Sequence, residues 1–178
     1  MLFVTIMLTI FAFLFGCQRS LDVERYAIPN ESYIEATYQY YQSKTQGFSW
    51  PELQGWVLET PSSSLVKLAL RHSESDALLT VSSFAGEVGL LLNNINRWRK
   101  QLGLNPVTSD QSFVSYKTYG HHSYQIISLE SPTQFMSVGM LKTASKTWVV
   151  KMVANRSEKP DLRRYFERFL IDFEVSHD

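Results

Sequence analysis

The sequence has very little cysteine and no excess of charge of either sign. Its 178 residues include a single cysteine, Cys17, so no disulfide can form within the chain and the fold depends on its core. The 17 basic residues balance the 17 acidic ones, and all of them follow Cys17. A chain without a net positive field has little electrostatic attraction for a polyanion, so the composition argues against a nucleic-acid partner.

The sequence motifs of the common catalytic and metal sites are also absent. The chain contains no Gly-x-Ser-x-Gly elbow, Walker loop, dinucleotide fingerprint, His-Glu-x-x-His helix or cysteine cluster. His121 and His122 form an adjacent pair. Neighbouring side chains on a strand point to opposite faces, so the two could bind one metal ion only from a turn. We expect them to be solvated turn histidines. We therefore predict no catalytic residue, no metal site and no cofactor.

The start of the chain is an apolar run without a charged side chain. Residues 1–16, MLFVTIMLTIFAFLFG, are followed at once by Cys17. A helix that spans a bilayer needs about 20 apolar residues, so this run is too short for a span and is typical of a signal peptide. With Leu14 three places before the cysteine and Gly16 directly before it, the run resembles the signal peptide of bacterial lipoproteins.

The lipoprotein resemblance implies cleavage before Cys17 and attachment of lipid, palmitate included, to that residue. Gln18 follows the cysteine where Asp would signal retention at the inner membrane. We therefore expect a lipid-anchored protein of the bacterial cell envelope, at the outer membrane and facing the periplasm. An uncleaved anchor and an unmodified Cys17 remain alternatives, because no Lys or Arg precedes the run and Phe15 stands where a small residue is usual.

The rest of the chain divides into a tether and one domain. Residues 17–47 are polar and lack the Val, Ile and Leu density of a core segment. We predict a lipid-anchored tether there, and we favour a partly helical linker over a partner-binding segment formed by its tyrosines. Residues 48–178 are long enough to bury one core and too short for two domains, so we predict a single globular domain.

Short apolar runs and dense turn signals in the globular part predict an α+β fold. Runs of alternating or β-branched residues are separated by Pro, Gly and Ser clusters, and strands joined by such short turns pair antiparallel. We expect a single antiparallel sheet of about seven strands flanked by two main helices. The predicted strands are 56–60, 65–71, 77–84, 113–119, 123–129, 135–142 and 147–154.

Two stretches carry the 3.6-residue period of a helix that packs on a core. The first is 90–102, which Gly103 ends as a cap, and the second begins at 157–161 with a proline suited to a first turn. We expect Trp98 to be buried against the sheet and Arg99 to be exposed. The predicted apolar faces consist of Leu91, Ile95, Trp98 and Leu102 in the first helix and of Leu162, Phe166, Phe169, Leu170 and Phe173 in the second.

The first helix also carries the candidate binding site. Asn93, Asn96 and Arg97 follow a loop that contains Gly86 and Gly89. A helix entered from glycines presents backbone N–H groups to an anion, and an arginine one or two turns later could bind the same anion. The alternative, which we favour, is that the asparagine amides hold neighbouring loops and the arginine forms surface ion pairs.

The residues around this helix resemble a known family. The stretches Gly86-Glu87-Val88-Gly89 and Asn96-Arg97-Trp98-Arg99-Lys100-Gln101-Leu102-Gly103-Leu104 are similar to the glycine-rich loop and helix of a family of small uncharacterised bacterial exported proteins and lipoproteins. The resemblance covers about residues 50–175 and implies a PsbP-like architecture, in which an antiparallel sheet flanked by helices serves as a binding scaffold. It implies no established activity.

Together these features predict an envelope lipoprotein domain without catalytic activity. We expect it to reach the membrane through its N-terminal lipid and to bind an unidentified protein partner or small ligand. An enzyme of hydrolase type with an unrecognised site and a purely structural envelope component are the alternatives. A deep cleft with converging polar groups would favour ligand binding or catalysis, and a flat exposed apolar patch would favour a protein partner.

Overall fold

The computed structural model describes residues 47–61, 63–86 and 88–176. The predicted signal peptide at 1–16, the lipid acceptor Cys17 and nearly all of the predicted tether at 17–47 lie outside these residues, so those assignments stay predictions. None of the helices in the three described ranges has the length and hydrophobicity needed to cross a membrane.

Alternating apolar residues and short turns produce an antiparallel sheet of seven strands, as the sequence predicts. The strands are β2 (Trp56–Leu58), β3 (Val66–His72), β4 (Leu78–Ala85), β5 (Val114–Tyr119), β6 (His122–Glu130), β7 (Gln134–Lys142) and β8 (Lys146–Asn155). The predicted strand limits agree with the structure to within two residues. The order across the sheet is β2-β3-β4-β8-β7-β6-β5, so the chain crosses from β4 to the far edge and returns strand by strand to β8.

Both predicted helices are present, and each packs on a different face of the sheet. Helix α1 (Leu91–Gln101) connects β4 to β5, and α2 (Lys159–Asp172) follows β8 after a short 3₁₀ turn. Gly103 lies just beyond α1 with φ +69°, and Leu104 N donates to Arg99 O at 2.8 Å. This left-handed cap satisfies a carbonyl of the last turn, and it is why the helix ends where the glycine predicts.

Alternate residues of the central strands belong to two separate hydrophobic clusters. On β8, Trp148 and Val150 pack with α2, whereas Val149 between them packs with α1. Successive side chains of a strand point to opposite faces, so this strand is buried on both sides. The apolar face predicted for the second helix is buried throughout and consists of Leu162, Phe166, Phe169, Leu170 and Phe173.

Helix α1 packs through the residues that its period predicts. Ile95, Trp98 and Leu102 are all buried against the strands of the far half of the sheet. Arg99 differs from our expectation, because it is half-buried. Its guanidinium carbon lies 5.1 Å from the centroid of the Phe113 ring. The prediction that Arg99 is exposed is therefore wrong, since the segment that follows α1 returns alongside it.

A second sheet of two strands joins the ends of the described chain. Strand β1 (Phe48–Ser49) pairs antiparallel with β9 (Glu174–Val175). Phe48 packs on Trp148 and Phe173, with ring centroids 5.1 and 5.7 Å away. We did not predict this sheet, because strands of two residues carry no period that a sequence pattern can reveal.

Candidate functional site

The two glycines of the candidate site shape the loop that leads into α1. Gly86 and Gly89 have φ of +65° and +48°, and a Cβ at either position would meet nothing within 4 Å. Backbone conformation, and not close approach of another group, is therefore what favours glycine here. Gly86 also ties this loop to the turn between β7 and β8 and to the start of β8, because its N–H donates to Ser145 O at 2.9 Å and its carbonyl accepts from Thr147 Oγ1 at 2.7 Å.

Asn96 holds the segment that follows α1. Its Nδ2 donates to Val107 O at 2.9 Å, and Val107 N donates to its Oδ1 at 2.8 Å. Both polar atoms of the amide are therefore bonded to one backbone position. Asn93 lies exposed on the outer side of the helix. The structure does not bring Asn96 and Arg97 to a common group, because they lie on opposite flanks of α1.

Arg97 is positioned by Asn94, which precedes it by three residues on α1. Arg97 Nη2 donates to Asn94 Oδ1 at 2.8 Å, one helical turn away. Asn94 is only 7% exposed, and its Nδ2 donates to Val88 O at 2.7 Å. The buried amide thus links the glycine-rich loop to the arginine and restricts the position of the guanidinium group.

A second cation, Lys151, lies beside Arg97. Lys151 is at the middle of β8, and its Nζ donates to Gln101 Oε1, one turn after Arg97, at 3.5 Å. Burial, and then the neighbouring charge of Arg97, lower the pKa of Lys151 from its ordinary value. The sequence does contain a signal for this residue, since Lys151 is the one charged residue of the run from Trp148 to Ala154.

The residues that the structure describes cover only part of the sheet face next to these two cations. The cluster beneath α1 extends from β5 to β8 and reaches β4 only at Phe84, and within the described chain β2 and β3 contribute nothing to it. We call the uncovered part the open face and define it by Val57, Arg71, Leu78 and Thr80, which strand pairing places on the same side as Lys151. Val57 is 54% exposed, whereas the other three are half-buried.

The histidine pair is split by the turn between β5 and β6. His121 is exposed, as expected. His122 begins β6, and its Nε2 lies 3.3 Å from Glu174 Oε2 with only 14% of the side chain exposed, so the expectation that it is solvated is wrong. Among the residues that the structure describes, no three His, Cys, Asp or Glu side chains converge in a way that could hold a metal ion.

Known proteins resemble this chain in fold. No protein-family model and no curated protein matches it. LpqN of Mycobacterium tuberculosis, described as involved in cell envelope biogenesis, is 12% identical with a TM-score of 0.50, over 72% of this chain and 83% of LpqN. CyanoP, the cyanobacterial PsbP of Synechocystis sp. PCC 6803, is 12% identical with a TM-score of 0.50, over 74% of this chain and 89% of CyanoP.

A third structure, from Bacteroides thetaiotaomicron, is 12% identical with a TM-score of 0.49 over 74% of this chain, which spans 46% of that protein. Identities this low show the fold alone. The likeness to CyanoP supports the PsbP-like architecture that the sequence predicts. Membership of the lipoprotein family suggested by the helix motif stays a prediction.

Proposed function

We propose that this protein is lipid-anchored in the bacterial cell envelope and that its domain binds a ligand without catalysing a reaction. The observation that carries the binding function is the open face with Arg97 and Lys151 beside it. These two cations have no ion-pair partner within the described ranges. Exposed cations there, such as Lys100 and Arg164, also lack one, but Lys151 is half-buried and lies next to the like charge of Arg97.

A small polar ligand suits this surface better than an apolar protein partner. Protein docking sites are commonly contiguous apolar patches. The large apolar side chains that the described residues expose are instead scattered over separate elements and comprise Val57, Leu65, Leu90, Tyr116 and Ile171. The open face combines apolar groups with a hydroxyl and with Arg71, which is paired with Glu59, and two cations unpaired within the described ranges lie at its border. A few polar groups set among apolar ones can orient a small ligand.

The envelope location is supported by the apolar run before Cys17 and by the fold shared with LpqN, a protein described as involved in cell envelope biogenesis. Cys17→Ser removes the only thiol that could accept lipid, so we expect the variant to fold and to leave the membrane. The assay is membrane fractionation followed by a carbonate wash. If the Ser variant still sediments with washed membranes, the lipid anchor is wrong and an uncleaved apolar anchor holds the protein instead.

A matched variant tests the destination of the protein. In the lipoprotein class, Asp after the lipidated cysteine favours retention at the inner membrane. Gln18→Asp should therefore stay membrane-bound but move from the outer-membrane to the inner-membrane fraction. Unchanged fractionation of this variant would contradict the predicted outer-membrane location without affecting the lipid anchor.

The binding surface is tested by a photo-crosslinking amino acid placed at Val57 on the open face. The control position is Ile171, which is 40% exposed and lies on α2, across the sheet. In cells, we expect adducts of small mass at position 57 and none at position 171. Crosslinks to a protein at position 57 would favour a protein partner instead. Equal labelling at the two positions would rule out the open face as the binding surface.

A further inference from the structure

Arg97 and Lys151 bring two positive charges to one place at the border between α1 and the open face. We infer that they form a binding site for an oxyanion, that is, a carboxylate or phosphoryl group of the ligand. This inference rests on the proposed binding function and specifies the chemistry of the ligand.

The two cations come from different elements and converge on one flank of α1. Asn94, Arg97 and Gln101 follow each other at helical spacing, so they share the flank that faces β8. Gln101 accepts the hydrogen bond from Lys151 Nζ, and Asn94 accepts the hydrogen bond from Arg97 Nη2. Each cation is thus held by a neutral amide, which orients the charge without neutralising it.

The absence of a neutralising carboxylate is what indicates a ligand. Within the three described ranges no Asp or Glu forms an ion pair with Arg97 or Lys151, and the charge that most affects Lys151 is the like charge of Arg97. Partial burial of an ammonium group next to another cation destabilises the folded protein. An anion bound between the two groups would reverse this repulsion.

The groups present also match the geometry of an oxyanion. A guanidinium group has five N–H donors in a planar fork that fits two oxygens of a carboxylate or phosphate. Asn94 Oδ1 accepts from Nη2 only, so donors of Arg97 remain for a ligand. Thr80 pairs with Lys151 across the sheet, and its hydroxyl group donates to Lys151 O at 3.5 Å. An anion here would therefore meet the guanidinium fork of Arg97 and the ammonium group of Lys151.

The test measures thermal stability of the full chain in detergent, in inorganic phosphate and in acetate, each against chloride at equal ionic strength. A bound ligand stabilises the folded state in proportion to the logarithm of its concentration over Kd. We expect the melting temperature of the wild type to rise with at least one of the two anions, and the anion that acts distinguishes a phosphoryl from a carboxylate ligand. No shift with either anion would refute the site.

Variants assign the effect to the two cations. Arg97→Gln and Lys151→Met should each weaken binding by about tenfold or more, because each loses a charge-assisted interaction. Lys100→Gln removes an exposed cation from the same helix and should keep the full shift. If Lys100→Gln loses the anion-induced rise in melting temperature to the same extent, the rise comes from general ion screening and the inference is overturned.

A second measurement does not depend on stability. The pKa of Lys151, followed through the NMR signal of its side-chain carbon, should rise when the active anion is added to the wild type, because a bound anion favours the charged ammonium. An unchanged Lys151 titration would also overturn the site. If oxyanions fail while crosslinks at Val57 persist, the proposed binding function survives and only the ligand chemistry is wrong.

Discussion

Asn96→Ala is the substitution that best separates a structural from a ligand-binding role for the asparagines of α1. It removes both hydrogen bonds to Val107 and leaves a backbone donor and acceptor of a half-buried residue without their partner. Unsatisfied groups of this kind cost about 1–3 kcal/mol, with partial exposure favouring the lower part of that range. The better helix propensity of alanine returns up to about 0.7 kcal/mol. We expect a net loss of about 1 kcal/mol.

The assay is thermal denaturation of the full chain, in which about 1 kcal/mol corresponds to a fall of about 2–4 °C for a protein of this size. Asn93→Ala is the matched control, since Asn93 is exposed on the same helix and the same substitution should be neutral or slightly stabilising. If Asn96→Ala melts at or above the wild-type temperature, the loop-holding role is wrong and the ligand-binding reading of Asn96 gains support.

Trp98→Ala should lower the free energy of unfolding by about 3–5 kcal/mol in urea denaturation, because the indole is 4% exposed beneath α1; a loss under about 1 kcal/mol would contradict this packing. Gly120→Ala should destabilise far more than Gly89→Ala in thermal melts, since both have positive φ but only the Cβ at Gly120 would clash with a carbonyl oxygen of α2. The hydrogen bond from Lys159 lowers the pKa of Glu130 below its ordinary value of 4.5. The ionised carboxylate therefore stabilises the folded protein above pH 4.5, and this stabilisation is lost as the pH falls through the lower pKa of the folded state. The stability difference between the wild type and Glu130→Gln should therefore be present at neutral pH and shrink below about pH 4.5, and a constant difference across that range would refute it.

The local pattern of the chain was sufficient for both helices and for the seven strands of the main sheet. The spacing of Leu91, Ile95 and Trp98 has the helical period and identifies the buried face of α1, because that period follows from backbone geometry. The proline at the start of α2 and the glycine after α1 mark helix ends for equally local reasons. Half-buried Arg99 shows the limit, since its exposure depends on where the following segment goes.

The candidate site was predicted only in part. Arg97 was identified from its place in the helix motif, but its position depends on a hydrogen bond to Asn94 that no sequence pattern predicts. Asn96 was grouped with Arg97 because both follow the glycine-containing loop on one helix. In a helix adjacent residues are about 100° apart, so here they serve opposite flanks.

The sequence by itself determined the helices, the seven strands of the main sheet, the antiparallel pairing of neighbours and the residues that face a core, because each of these follows from spacing within a short stretch. Only the tertiary structure decided the strand order, the pairing of β1 with β9 and the meeting of Lys151 with Arg97. These depend on which surfaces of distant segments meet when the chain crosses from β4 over the sheet to β5. No local sequence period predicts that crossing, because it depends on burying both faces of the sheet together.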